Sequence, residues 1–214
     1  MLISVKSDID SVKSYLSSTQ KKQIPFAASQ ALNTLAYKIA KQTMPEKADQ
    51  TFQGGATPFT KRGFNYKKST KYDLMANVFV NEAQAKYMYF MVQGGTRFPS
   101  KKAILVSTRH SKLNQYGNIP RGTLQRMIED KAKFFKGVPK GLSGSNFEGI
   151  WERYGRQTKQ SGQRIRMVAK YTDKAQYKPL FPFGDFTQGV VFSRNDGFAK
   201  LFIKNLERAL ATAK

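Results

Sequence analysis

Few side chains in this sequence could do acid–base or metal chemistry, and they are scattered. His110 is the one histidine, set between Arg109 and Ser111 in a polar segment with no evident metal-binding partners. Glu129 and Asp130 are adjacent, so on a helix they diverge and at most one could face a pocket. Glu148 and Glu152 lie four apart in a segment that reads as strand. That spacing sets their carboxylates far apart, and nearby Arg153 and Arg156 predict ordinary ion pairs. Two-metal phosphodiester hydrolysis needs several convergent carboxylates, and the 14 acidic residues here are dispersed along the chain. The absence of cysteine excludes thiol nucleophiles, disulfides and cysteine-bound zinc. Gly94–Gly95 lacks the spacing and following lysine of a phosphate-binding loop, and predicts a tight turn instead. The sequence therefore predicts a non-enzymatic protein without a cofactor.

Binding chemistry is better represented. In TKRGFNYKKSTKYD (60–73) the cations Lys61, Arg62, Lys67, Lys68 and Lys71 alternate with Phe64, Tyr66 and Tyr72. Lysines could hold phosphates there while aromatics stack on bases. A second stretch carries Arg153, Arg156, Lys159, Arg164, Arg166 and Lys170, followed by Lys174 and Lys178, against the single acid Asp173. If 147–171 is a hairpin, Arg164 and Arg166 share one face and Ile165 and Met167 the other, which predicts a cationic, solvent-facing ribbon. Neither stretch has a recognition-helix or ribonucleoprotein signature that would read bases. Contact with phosphates or with an acidic surface, without sequence readout, is the expectation.

The net charge of +23 sharpens that reading, because no surplus of acids exists to neutralise these stretches. Residues 1–107 carry 16 Lys/Arg against 6 Asp/Glu, and 108–214 carry 21 against 8, so the charge is no basic tail on a neutral domain. A body this cationic repels itself and calls for an anionic partner. Hydrophobic residues at 40% and aromatics at 13% can still supply a core. The start, MLISVKSDID, predicts no signal peptide, and no window approaches the ~18 apolar residues of a membrane span. No membrane partner is expected.

These groups must be positioned by helices, strands and turns that the pattern also predicts. Asp8 caps a short helix with Ile9, Val12 and Leu16 on one face. After a break at SSTQKKQ, Pro25 opens a helix in which Ala28, Leu32, Leu35 and Ile39 form a stripe, ending at Met44–Pro45. Residues 46–71, with Gly54–Gly55, Pro58 and Gly63, read as an extended arm. YDLMANVFVN (72–81) alternates as a strand; Tyr87–Val92 fits a buried strand or a short helix; 103–109 is a further strand. A helix over about 122–135, a flexible connector over 136–146, the 147–171 hairpin and a proline–aromatic loop at 177–186 follow. Asn195 or Asp196 then caps a helix with Phe198, Phe202, Leu206 and Leu210 at four-residue spacing. The predicted class is α+β: N-terminal helices and a C-terminal amphipathic helix on a small, mainly antiparallel sheet. One domain over 1–214 is expected, with the arm at about 46–71 and an insertion at about 110–165.

Two regions together resemble a known family. QIPFAASQALNTLAYKIAKQT (23–43), with its Ala31–Leu32–Asn33–Thr34–Leu35–Ala36 core, is similar to the start of phage minor tail protein Z, the tail-completion family. FAKLFIKNLERALATAK (198–214) is similar to that family's closing amphipathic helix, and YMYFMVQGGTR (87–97) to an aromatic-to-glycine segment of tail-completion and neck proteins. The match covers about a third of the chain, and 110–165 departs from it. The resemblance implies a structural virion protein at the head–tail junction, assembled in a host cytoplasm as a homo-oligomeric, hexameric ring. Its implied partners are other tail and neck proteins (tube, terminator or connector) and packaged double-stranded DNA. The alternative from residues alone is a free-standing, sequence-tolerant nucleic-acid-binding protein.

Overall fold

The structure is a computed structural model that describes residues 2–6, 18–100, 102–143, 147–158, 162–193 and 197–212. It is α+β, and the chain divides into two compact units. Unit 1 comprises Met1–Gln93 with Pro179–Lys214, and unit 2 is the intervening Gly94–Lys178. The expected insertion at 110–165 thus falls wholly within a larger inserted body. The predicted first helix at Asp8–Leu16 and the Asn195/Asp196 cap lie outside the described residues.

In unit 1, helix α1 (Ser18–Lys38) runs through a π turn (Ile39–Thr43) into α2 (Met44–Thr51). Two expectations are corrected here. Pro25 does not open α1, because Ser18–Ile24 are already helical. Ile24 and Ala28 bury against Phe198, Phe202 and Leu206 of the C-terminal helix, and that packing holds the turn ahead of the proline. Nor does the helix stop at Met44–Pro45. Proline has no N–H to offer and its ring crowds the carbonyl four residues back. The π turn widens the ladder just there, with the Met44 N–H reaching the carbonyl of Ile39, and Pro45 becomes the first-turn residue of α2. Buried Met44 and Ala48 reward the continuation.

The segment read as an exposed arm is core, which is the main correction. It forms α3 (Pro58–Arg62) and strand β2 (Phe64–Lys67). Ala56 and Phe64 are buried, Phe64 completely. Thr57 caps α3 by accepting from the Thr60 N–H at 3.1 Å. Strand β2 joins β1 (Leu2–Lys6) and β3 (Met75–Val80) in an antiparallel sheet of order β1-β3-β2. β3 alternates as predicted, with Ala76, Val78 and Val80 turned into the core. That core joins Leu32, Ile39 and Met44 to Phe64, Val78, Phe181 and Phe183.

Tyr87–Val92 lies in a helix, α4 (Glu82–Gln93). Gly94, at φ 69°, takes the left-handed conformation that ends a helix, and Gly95, at φ 105°, starts strand β4 (Gly95–Arg97) of unit 2. Part of the proline–aromatic segment is helical, α6 (Phe183–Val191), and Phe181 and Phe183 anchor it in the core. The C-terminal helix α7 (Phe198–Thr212) forms as predicted and packs against α1.

Unit 2 holds a four-stranded antiparallel sheet of order β5-β8-β7-β6. Its strands are β5 (Ile104–Ser107), β6 (Phe134–Gly137), β7 (Gly149–Thr158) and β8 (Gly162–Thr172), with β7–β8 the predicted hairpin. The helix expected over 122–135 is shorter, α5 (Thr123–Glu129), and Phe135 belongs to β6. Leu124 and Met127 of α5 pack over Ile150, Val168 and Ala169. A short pair, β4 with β9 (Ala175–Tyr177), completes the unit.

Candidate anionic-partner interface

The first basic stretch becomes a rigid stripe because β2 and the residues after it are laid along α1 in the opposite sense. Lys41 Nζ donates to the Phe64 carbonyl at 2.8 Å, and the Tyr37 ring meets Tyr66 edge-on at 6.1 Å. The Asn33 side chain grips the backbone of Ser69. Ser69 is buried, so Lys67 and Lys68 on one side of it and Lys71 on the other stand outward on a pinned strap. The Thr70 hydroxyl accepts from the Asp73 N–H at 3.0 Å and the Thr70 N–H donates to the Asp73 carbonyl at 2.8 Å, closing a tight turn. That turn leaves Tyr72 87% exposed, with Lys71 Nζ over its ring at 4.9 Å.

Lys61 and Arg62 are used differently. Lys61 pairs with Asp49, whose carboxylate also accepts from the Ala56 N–H at 2.9 Å. The hydrogen bond from Lys61, then that from Ala56, holds the Asp49 carboxyl below its ordinary value. Arg62 turns back on the Pro58 carbonyl at 3.2 Å. These two cations brace α3 and its approach, while Lys67, Lys68 and Lys71 present charge. Reading the stretch alone missed Tyr37, exposed on α1, and Lys41, exposed on the π turn that continues it. Their four-residue spacing on a helix, off the Leu32–Leu35–Ile39 stripe, was the signal available.

In unit 2 the register bears out the predicted facing. Arg166 stands opposite Glu152 and Arg164 opposite Tyr154, whereas Ile165 faces Arg153 and Met167 faces Trp151. The ribbon is not simply a solvated cationic face, however. Arg166 Nε donates to Glu152 Oε2 at 2.7 Å and Lys133 Nζ lies 3.3 Å from Oε1. Glu152 is only 8% exposed, and the Arg166 hydrogen bond, outweighing burial, holds its carboxyl below the ordinary value. Arg153 was expected among the ion pairs. Instead its guanidinium donates to the carbonyls of Lys131, Ala132 and Phe134 at 3.0–3.3 Å and covers the Phe135 ring at 4.8 Å. It closes the end of the α5–β6 connection. Arg164 is exposed and Lys170 half-buried. Arg156 lies in β7, and Lys159 falls outside the described residues.

The residues weighed for catalysis stay apart. His110 Nε2 accepts from Arg109 Nε at 3.0 Å, Glu129 from Gln125 at 2.8 Å, and Asp130 caps the Lys133 N–H at 3.1 Å. Among the described residues no three His, Asp or Glu converge as metal ligands, and no helix is long and apolar enough to cross a membrane. Fold and site together define an α+β protein with a braced cationic stripe on one unit and a partly self-neutralised basic ribbon on the other. Comparison of this chain with protein-family models, curated proteins and solved structures gives no match.

Proposed function

We propose that this chain is a non-enzymatic structural protein of a phage tail neck, a tail-completion component. In this reading it assembles into a ring near the DNA channel and contacts tail proteins and packaged DNA without sequence readout. The observation that carries the proposal is how the two segments on which the family resemblance rests come together. Ile24 and Ala28 of the Ala-rich helix bury against Phe198, Phe202 and Leu206 of the closing helix. The same helix then carries the strap that presents Lys67, Lys68 and Lys71. A pinned array of lysines suits a permanent anionic neighbour, since the strap backbone is already ordered and only side-chain rotamers have to be fixed at the moment of contact.

The alternative, a free-standing nucleic-acid binder, is favoured by Tyr72 standing out among those lysines, as in single-strand stacking platforms. One experiment separates the two. The purified chain is mixed with tube, terminator and connector proteins and followed by sedimentation, and in parallel titrated with DNA over a range of salt. A neck protein co-sediments as a ring with tail components and binds naked DNA weakly. A stable monomer that ignores those components and grips DNA through ~6 phosphates, with a log–log salt slope near about −5, establishes the alternative.

A further inference from the structure

We infer that unit 2 carries a docking cavity for an acidic protein segment that presents one bulky apolar side chain. A cavity of about 350 Å3 lies beside α5 and the edge strand β6. Met127, Phe134 and Ile150 form its apolar floor, with Ile150 fully buried. Ile128, 43% exposed, and Phe135 extend the apolar lining. The remaining lining residues are Lys131, Lys136 and Arg153, and no acid is among them. The volume sits at the lower end of the ~300–1,000 Å3 typical of binding pockets, which suits a single large side chain as anchor.

The chemistry selects the occupant. Two exposed lysines, Lys131 and Lys136, beside an apolar floor attract a ligand that is acidic at its flanks and apolar at its centre, while Arg153 is held at the edge by its carbonyl partners. A second copy of this chain is a poorer occupant of this cavity, because its 14 Asp/Glu are scattered among 37 Lys/Arg and carboxylates are what the lining selects. A nucleic acid fits poorly for a separate reason. Phosphate and sugar gain nothing from the floor, and the rings that a base would stack on are already engaged. Arg153 covers Phe135, which also stacks on Trp151 at 6.4 Å, and Lys133 lies over Phe134 at 5.6 Å. At Phe134 the backbone is engaged as well: its N–H donates to the Asp130 carbonyl at 2.9 Å, and its own carbonyl accepts from Arg153 at 3.1 Å. The partner is therefore read by a side chain in the cavity and by carboxylates around it. This inference deepens the structural reading above by giving its acidic protein neighbour a site. It is tested on the isolated 214-residue chain, so its failure is distinguishable from failure of ring assembly.

The sole tryptophan, Trp151, is stacked on the lining residue Phe135 and supplies the readout. The chain is titrated with the peptide Ac-Glu-Asp-Glu-Phe-Asp-Glu-NH2 and with its counterpart carrying Gly in place of Phe. Both titrations use about 150 mM salt, where screening acts beyond ~8 Å. The Phe peptide is expected to bind about tenfold or more tightly than the Gly peptide, from burial of one aromatic side chain. Ile128→Lys, at an exposed position, should retain the fold by circular dichroism and erase that preference even though it adds a positive charge. Equal binding of the two peptides, no binding of either, an unaltered preference in Ile128→Lys, or displacement of the Phe peptide by an equimolar short DNA duplex overturns the inference.

Discussion

Asn33 and Ser69, 36 residues apart in sequence, hold each other through both backbone groups of the serine. Asn33 Oδ1 accepts from the Ser69 N–H at 2.7 Å, and Asn33 Nδ2 donates to the Ser69 carbonyl at 3.1 Å. The Ser69 hydroxyl donates onward to the Ser29 carbonyl at 3.2 Å. An amide is the one short side chain that carries donor and acceptor in the geometry needed to satisfy both backbone groups of a residue beyond the end of its strand. Asn33→Ala leaves a buried N–H without its partner and is expected to cost about 2–3 kcal/mol in urea unfolding. Asn33→Asp keeps the acceptor, so a smaller loss is expected; equal losses would mean the carbonyl bond carries the strap.

Phe64 belongs to the segment whose glycines and proline read as an arm. Its ring is completely buried and lies 5.9 Å from that of Phe181. Phe64→Ala is expected to cost about 3–5 kcal/mol, measured by thermal and denaturant unfolding. A loss below ~1 kcal/mol, the scale of a surface change, would restore the arm.

That segment also marks what the sequence could tell. α7, β3 and the β7–β8 hairpin were legible because each repeats one period over enough residues to fix a face. The arm was not, because its ordered pieces are four and five residues long and its punctuation mimics a loop. Helix α1 could not be followed through Pro45, since a π turn has no sequence signature of its own. The candidate site divides in the same way. Residue counting found the cations, but it could not tell those presenting charge from those consumed within the fold. Arg153 is spent on carbonyls 19 to 22 residues away, and Arg166 on an acid 14 residues away. Such partners are set by strand register, which composition does not reveal.

The Glu152–Arg166 pair makes the stability of unit 2 pH-dependent. Arg166 first, then Lys133, lowers the Glu152 carboxyl below the 4.5 of a free glutamate. A carboxyl that titrates lower in the folded chain contributes stability above its unfolded value, and that contribution disappears as pH falls through the folded one. Unfolding free energy should therefore decline below about pH 4.5. Arg166→Ala should shrink that decline, because burial then opposes ionisation with Lys133 alone in support and the folded carboxyl titrates closer to its unfolded value. Asp49 acts in the same sense in unit 1, so the informative quantity is the difference from wild type. Urea titrations followed by Trp151 fluorescence between about pH 7 and about pH 3 provide it. A Glu152→Gln variant with an unchanged acid limb would show that this pair carries none of the dependence.

The division of cations into presenting and bracing groups has the most direct test. Lys67, Lys68 and Lys71 are exposed on the strap, so replacing each by Ala removes an outward charge and little packing. Duplex DNA binding, measured against salt, should weaken with each change, and the log–log slope should lose about one unit per lysine that contacts phosphate. Stability should stay within ~0.5 kcal/mol of wild type, as for other surface sites. Arg153→Ala should do the reverse. It strips three carbonyls of a charged donor and uncovers the Phe135 ring, so unit 2 is expected to lose about 2 kcal/mol. The salt slope should change little, because this half-buried guanidinium is anchored over a ring and against carbonyls and is not presented outward like the strap lysines. A variant set in which Arg153→Ala abolishes DNA contact at unchanged stability, while the strap lysines prove silent, would move the interface from unit 1 to unit 2.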